Sequence, residues 1–283
     1  MGTRSDRNLR SVRSVRSVRA PAAVLTAAAL LAAGSCATAG DGDSDDGGTS
    51  GASPVRVYAA ASLSTVGDEL AAAFADEHGG TDVEYTFAGS PALVRQIGQG
   101  ADAEVFISAD GETMDTALSL AQFRGAEPRV VATNRLVLAT APGNPLGITS
   151  PEDLGTLTDG RLAVCAEGVP CGTLAHRYLG DLDVPPATWT VTEEANVSDV
   201  ATKVATGEVD AGFVYTTDAR VLQDNASDGT VQVMDLGDRV GLNTYPAALT
   251  AEGQGDPAAR DFLDWLTTDT AREILGDHGF GTE

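Results

Sequence analysis

Residues 57–63 have the sequence Val-Tyr-Ala-Ala-Ala-Ser-Leu, in which a short apolar strand pattern ends at small residues and a helical pattern begins. Apolar side chains then recur at the spacing of one helix face, at Leu63, Val66, Leu70 and Phe74. A strand that leads through small residues into a helix is the repeating unit of α/β proteins. This stretch therefore predicts the fold class of the chain.

The same alternation continues to the end of the chain. Short apolar runs predict strands at 55–59, 83–87, 104–108, 135–139, 163–166, 211–215, 231–236 and 245–249. Helical spacing follows most of these runs, and a final helical segment is predicted from 257 to 280. Strands that alternate with helices form mostly parallel sheets with helices on both faces.

The length of 283 residues exceeds one average domain, so we expect two lobes. The strand predicted at 135–139 leaves the first lobe, and the strand at 245–249 returns to it. We therefore assign residues 54–138 plus 246–283 to lobe 1 and residues 139–245 to lobe 2.

The N-terminus has the pattern of a secretory signal. Six arginines between positions 4 and 19 precede an apolar run at 20–33, and this predicts a signal peptide over residues 1–35. Small residues directly before Cys36 resemble a bacterial lipobox, which implies cleavage there and lipidation of Cys36. Residues 36–53 then form a lipid-anchored flexible linker. The expected location is extracytoplasmic, on the outer face of the cell membrane or in a periplasm; cleavage nearby and free secretion is the alternative.

The charge of the chain limits its partners. Its net charge is −23, and removing residues 1–35 takes away six Arg and one Asp, which leaves −28. Nucleic acid is not expected as a partner, because binding it requires a basic surface. Any anion site must work through short-range donors, because the long-range field repels anions.

Two cysteines remain after the predicted cleavage. Cys165 and Cys171 flank Gly168 and Pro170, and in an oxidising exterior they can close a small loop as a disulfide. Two reduced thiols are the alternative. A zinc site is not expected, because no nearby His or second Cys pair completes four ligands.

Four segments place a small residue where a strand should end and a helix begin. They are 59–63, 87–91, 169–172, and 196–199 together with 214–215. None has a Lys or Arg at the expected contact position. The first turn of a helix offers free N–H groups and a partial positive charge, which hold an oxyanion without an ionised side chain. These segments can converge only if two lobes face each other across a cleft.

The motifs resemble those of the periplasmic molybdate-binding proteins. The resemblance runs through residues 57–63, 87–90, 105–110, 134–138, 160–164, 169–172, 212–219 and 278–280, in one order. It implies the periplasmic-binding-protein type II fold, with the ligand in the interlobe cleft. It also implies a monomer that delivers molybdate, and usually tungstate, to the permease and ATPase of an ABC importer. The membrane is then reached only through the N-terminal lipid.

The resemblance also implies a set of ligand-binding residues. Ser62 and Ser90 correspond to donors of hydroxyl and backbone hydrogen bonds, and Tyr215 to a phenol that donates to the anion. Cys171 and Val197 correspond to positions where the family uses main-chain N–H groups. No cofactor is expected besides the molybdate or tungstate ligand, and no metal bound directly by side chains.

Other functions are less consistent with the residues. Sulfate or thiosulfate would suit the same fold, and a tethered receptor domain is a further alternative. A ferric-ion site would want paired tyrosines, whereas Tyr215 stands alone in its segment. A secreted serine hydrolase would use Ser90, but Gly89-Ser90-Pro91 lacks the Gly-x-Ser-x-Gly elbow and the three histidines offer no persuasive base. No enzyme activity is therefore expected.

Overall fold

The computed structural model describes residues 53–182, 189–226 and 230–282. The predicted signal peptide, Cys36 and the linker up to residue 52 lie outside the described residues. The strands are β1 (Val55–Ala60), β2 (Val83–Ala88), β3 (Val105–Ile107), β4 (Arg129–Asn134), β5 (Leu136–Thr140), β6 (Gly160–Cys165), β7 (Trp189–Glu194), β8 (Ala211–Tyr215), β9 (Val233–Asp235) and β10 (Asn243–Leu249). The α-helices are α1 (Gly67–Glu77), α2 (Ser90–Gly98), α3 (Gly111–Leu118), α4 (Pro170–Asp181), α5 (Val197–Thr206), α6 (Thr216–Asn225), α7 (Pro257–Trp265) and α8 (Asp269–Asp277).

Within the described residues, the strands form two five-stranded sheets of matching design. The first has the order β2-β1-β3-β10-β4 and the second the order β7-β6-β8-β5-β9. In each sheet one strand, β10 or β5, runs antiparallel to both of its neighbours. The predicted two-lobed α/β fold is confirmed, and its sheets are mixed.

The antiparallel strands follow from how the chain crosses between the sheets. The chain leaves the first sheet after β4 and enters the second as β5, with Arg135 between them. It returns between β9 and β10. The parallel strands of each sheet have their carboxyl ends at the same end of the sheet. A strand that enters the sheet from that end must run in the opposite direction to the parallel strands. The crossing strands are therefore antiparallel, and the carboxyl ends of the other strands face the cleft.

The crossing points differ slightly from the predicted lobe boundaries. The boundary predicted after residue 138 lies inside β5, which pairs only with second-sheet strands, and the boundary predicted before residue 246 lies inside β10 of the first sheet. An apolar strand pattern shows that a strand forms but not which sheet it joins, so it places a crossing only to within one strand.

Two strands and one helix break were not predicted from the sequence. β4 and β7 lie at sheet edges, and polar residues such as Arg129, Asn134 and Glu193 interrupt their apolar pattern. The segment predicted as one helix from 257 to 280 is two helices, because α7 ends at Trp265 and α8 begins at Asp269. The side chain of Thr268 accepts the N–H of Ala271 and so caps the second helix.

Helices cover both faces of the first sheet. Alternate residues of β3 separate the two layers: Val105 and Ile107 pack with α1, α7 and α8, and Phe106 packs with α2 and α3. In the first layer, Phe74 contacts Phe262 edge to face, with 5.0 Å between ring centroids. The second sheet has one core cluster that includes its own helices. Within the described residues, no helix combines the length and apolar character needed to cross a membrane.

We expect Phe262→Ala to lower the free energy of unfolding by about 3–5 kcal/mol, because Phe262 is fully buried and its removal leaves a cavity. Chemical denaturation of the wild type and the variant measures this loss. Val130→Ala is the control, since Val130 is about half exposed on an edge strand. Equal losses for the two variants would contradict the assignment of Phe262 to the core.

Candidate functional site

A small cavity lies where the carboxyl ends of strands from both sheets meet. Its volume is about 10 Å³, which is far below the roughly 300–1,000 Å³ of sites for organic ligands. It is lined by Ala60, Ala61, Ser62, Ala88, Gly89, Ser90, Ala109, Val169, Pro170, Cys171, Asn196, Val197 and Tyr215. The structure therefore brings all five sequence-predicted site residues to one cavity, between the two sheets.

Helix N-termini from both lobes point their backbone donors at this cavity. Ser90 is the first residue of α2, Val197 is the first of α5, and Cys171 is the second of α4. Ser62 is the second residue of a 3₁₀ turn, Ala61–Thr65, that follows β1. N–H groups at such positions have no carbonyl one turn earlier to bind, so they are available to a ligand. Their aligned dipoles favour a negative charge.

The hydroxyl groups of the site are held by other donors. The Oγ of Ser90 accepts the N–H of Ala109 at 3.0 Å, so the hydroxyl proton of Ser90 stays free to donate. In the same way, the Oη of Tyr215 accepts a hydrogen bond from Nδ2 of Asn243 at 3.2 Å. Each hydroxyl thus accepts a hydrogen bond from the protein and keeps its own proton available to donate.

Ser62 has a comparable partner in Tyr245. Their hydroxyl oxygens are 2.8 Å apart, and both side chains are buried. Either oxygen can donate in this pair; when Tyr245 donates, the proton of Ser62 is free for a ligand. The sequence pattern predicts Tyr245 on a returning strand but assigns neither Tyr245 nor Asn243 a role at the site. No local motif marks them, because they reach the site only through the crossing of β10 between the sheets.

Both tyrosines of this network stay protonated at neutral pH. Burial raises the pKa of Tyr215 well above its usual value, and the nearby Tyr245 and Asp218 raise it further. Burial likewise raises the pKa of Tyr245, and the hydrogen bond between Tyr245 and Ser62 opposes this shift. Each phenol can therefore donate a hydrogen bond and adds no negative charge to the cavity.

The loop before α4 is tightly constrained. Cys165, the last residue of β6, forms a disulfide with Cys171, and their Cα atoms are 5.7 Å apart. Gly172 lies so close to the same loop that an added methyl group would stand 2.0 Å from the carbonyl oxygen of Ala166. The disulfide and this close approach together fix the backbone N–H of Cys171 at the wall of the cavity.

The electrostatics of the cavity come from dipoles and neutral hydroxyls. None of the described residues that line it is a Lys or an Arg. The nearest acid with a strongly altered pKa is Asp218 on α6, which accepts the N–H of Tyr215 at 3.1 Å. Burial raises the pKa of Asp218 to about 7, although the hydrogen bond from Tyr215 opposes the shift. A substantial fraction of this carboxyl is therefore neutral near pH 7.

The alternatives of a hydrolase or a metal site find no support at this position. The histidines have partners elsewhere: His78 stacks on Phe74, His176 lies 3.7 Å from Glu193, and Nε2 of His278 is 2.8 Å from Glu69. None of them is in the lining of the cavity, so Ser90 has no histidine base there. Across residues 53–182, 189–226 and 230–282, no group of three His, Cys, Asp or Glu side chains is placed to hold a metal ion.

Known proteins match the whole of the two-sheet body. A family model described as bacterial extracellular solute-binding protein matches residues 55–281. The molybdate-binding protein ModA of Mycobacterium tuberculosis is 35% identical over 237 residues, covering 83% of this chain and 87% of the relative. ModA of Escherichia coli is 32% identical over 233 residues, covering 80% and 88%. The structure of the Azotobacter vinelandii periplasmic molybdate-binding protein superposes with a TM-score of 0.69 at 21% identity, covering 81% of this chain and 99% of that one.

We expect Asp218→Asn to change how stability depends on pH. Between about pH 4 and pH 7 the folded protein keeps a proton on Asp218 that the unfolded chain releases, so the free energy of unfolding falls as pH rises. The amide variant has no such loss, because it is uncharged and its oxygen can still accept the N–H of Tyr215. Denaturant titrations at pH 5 and pH 8 measure the difference.

Asp224→Asn, which changes an exposed acid on the same helix, is the control for this measurement. It should follow the wild type at both pH values. If Asp218→Asn also lost the same stability between pH 5 and pH 8 as the wild type, the raised pKa of Asp218 would be wrong.

Proposed function

The chain belongs to the family of bacterial extracellular solute-binding proteins, and we propose that it captures molybdate in the cavity between its lobes and delivers it to an ABC transporter. The observation that carries this proposal is one cavity lined by uncharged hydrogen-bond donors. These donors belong to Ser62, Ser90, Cys171, Val197 and Tyr215. The relatives named as molybdate-binding proteins support the same ligand.

The donor set matches the chemistry of a tetrahedral dianion. Molybdate is fully deprotonated near neutral pH, so each of its oxygens accepts hydrogen bonds and none donates. The site offers backbone N–H groups at helix N-termini and hydroxyls whose own acceptor positions are occupied, as for Ser90 and Tyr215. A hydrogen bond from such a donor to a charged group contributes about 1.5–3 kcal/mol. About six of them support sub-micromolar binding after the entropy of association is subtracted.

Phosphate fits this donor set poorly. Near neutral pH phosphate keeps at least one proton, and that proton needs an acceptor. A site built from donors leaves the proton unpaired, at a cost of about 1–3 kcal/mol. Sulfate has the same charge and shape as molybdate and differs in its smaller size, so it remains the competing ligand of the same class. Tungstate is close to molybdate in size and charge, and we propose that it binds as well.

The N-terminal sequence supports a location outside the cell membrane. We propose that residues 1–35 are removed and that Cys36 carries the lipid anchor, because the small residues before Cys36 follow a basic and then an apolar region. Residues 36–53 then connect the anchor to the body as a linker. The protein would pass its ligand to the permease, whose ATPase drives import. This role is binding and delivery, not catalysis.

We expect titration calorimetry to show tight binding of molybdate and tungstate, weak binding of sulfate and no measurable binding of phosphate. The donor set explains the exclusion of phosphate, because it leaves a phosphate proton without a partner. The weaker binding of sulfate is expected from the relatives named as molybdate-binding proteins, since sulfate differs from molybdate only in size. The protein should be titrated with each anion at one pH and ionic strength. Tight phosphate binding would contradict a site made only of donors. A preference for sulfate would identify sulfate, and not molybdate, as the ligand.

We expect Tyr215→Phe to weaken molybdate binding by about 1–3 kcal/mol, because the variant loses the phenol donor and leaves Nδ2 of Asn243 without its acceptor. Calorimetric dissociation constants measure this change. Tyr178→Phe is the matched control, since Tyr178 is a buried tyrosine of the same lobe that packs against Phe213, away from the cavity. Unchanged affinity in Tyr215→Phe would remove Tyr215 from the site.

A further inference from the structure

Gly89, which precedes the donor Ser90, is a glycine for reasons of space. Its φ of −60° and ψ of 134° are ordinary extended values that any residue adopts, so the backbone conformation does not require glycine. Gly89 is buried at the wall of the cavity. A buried glycine in an ordinary conformation indicates that another group occupies the space of its missing side chain.

That group belongs to the other lobe. A methyl group added at Gly89 would stand 2.4 Å from the carbonyl oxygen of Ala195 and 3.7 Å from Cβ of Asn196. The distance of 2.4 Å between the added methyl carbon and the carbonyl oxygen is shorter than a van der Waals contact. The oxygen belongs to the backbone, so it cannot move away by a change of rotamer as a side chain can. Ala195 follows β7 of the second sheet, whereas Gly89 follows β2 of the first. The two lobes therefore meet here backbone to backbone.

We propose that Gly89 determines how far the two lobes close over the ligand. Each residue of this contact lies beside a donor: Ser90 follows Gly89, and Val197 lies two residues after Ala195. With the lobes in contact at this point, Ser90 at the start of α2 and Val197 at the start of α5 line the same cavity from the two lobes. This inference rests on the proposed binding function and adds the residue on which closure depends.

Two other contacts between the lobes tolerate adjustment. The Oγ of Ser198 donates to the carbonyl oxygen of Ala61 at 3.4 Å, and Nη1 of Arg220 donates to the carbonyl oxygen of Asp277 at 2.7 Å. Both use side chains that can change rotamer when the lobes separate slightly. The contact of Gly89 with Ala195 has no such freedom, so a side chain at position 89 would hold the cleft apart by its own width.

The test is Gly89→Ala in the full protein, with Gly111→Ala as the matched control. Gly111 is the first residue of α3, and an added methyl group there meets nothing within 4 Å. We expect Gly89→Ala to bind molybdate at least tenfold more weakly by calorimetry and to lose the ligand-induced decrease in radius of gyration measured by X-ray scattering. Its melting temperature without ligand should equal that of the wild type, and Gly111→Ala should behave as the wild type throughout.

A second variant separates closure from helix stability. Gly89→Ser adds a side chain but keeps a good N-cap residue for α2, so it should lose affinity as Gly89→Ala does. Wild-type affinity and compaction in either variant would overturn the inference. A drop in melting temperature without ligand, as expected for the intralobe contact in Gly172→Ala, would also overturn it by showing a role inside one lobe. A wild type that binds none of the anions would instead overturn the proposed function and this inference with it.

Discussion

The cavity depends on backbone N–H groups that helices leave unpaired in their first turn. Four elements begin where a strand ends: helices α2, α4 and α5 and the 3₁₀ turn at Ala61–Thr65. Their free donors therefore lie at the carboxyl ends of the strands in each sheet. Because these ends of the two sheets face each other, donors lie on both sides of a small ligand. Neutral donors hold an anion without ionised side chains, so the site needs no buried lysine or arginine and avoids the desolvation that these would cost.

The crossing strands complete the site by orienting its hydroxyls. β10 returns from the second sheet to the first and brings Asn243 to Tyr215 and Tyr245 to Ser62. One strand thus supports a donor from each lobe. Because β10 must pass between the sheets in any fold of this topology, its early residues are in place to tie the two halves of the site to each other. The geometry of the hydroxyls is therefore coupled to the segment where the chain crosses between the sheets into β10, and not only to the elements that carry the hydroxyls.

The sequence predicts this protein well where the signal is local or is carried by a family resemblance. The two-lobed fold and the resemblance to molybdate-binding proteins are confirmed, and the five predicted ligand residues lie on one cavity. Strands β4 and β7 were not predicted because polar residues such as Arg129 and Glu193 interrupt the apolar pattern of these edge strands. The roles of Asn243 and Tyr245 at the site were not predicted, because they arise from contacts between distant segments. The need for glycine at 89 is likewise invisible in a sequence, since its backbone angles are ordinary and its partner lies in the other lobe.

An acidic chain can bind an anion because the two effects act over different distances. At physiological ionic strength, charges on the surface are screened beyond about 8 Å, whereas the helix N-termini that line the cavity would act on a bound anion at contact distance. Asp218 is closer, since its carboxyl accepts the N–H of Tyr215. Its pKa of about 7 means that a proton can neutralise it near physiological pH. A dianion in the cavity would raise that pKa further, and by linkage a protonated Asp218 would raise the affinity for the dianion. Binding is therefore expected to take up a fraction of a proton. This proton uptake limits the electrostatic repulsion between the buried carboxylate of Asp218 and the ligand.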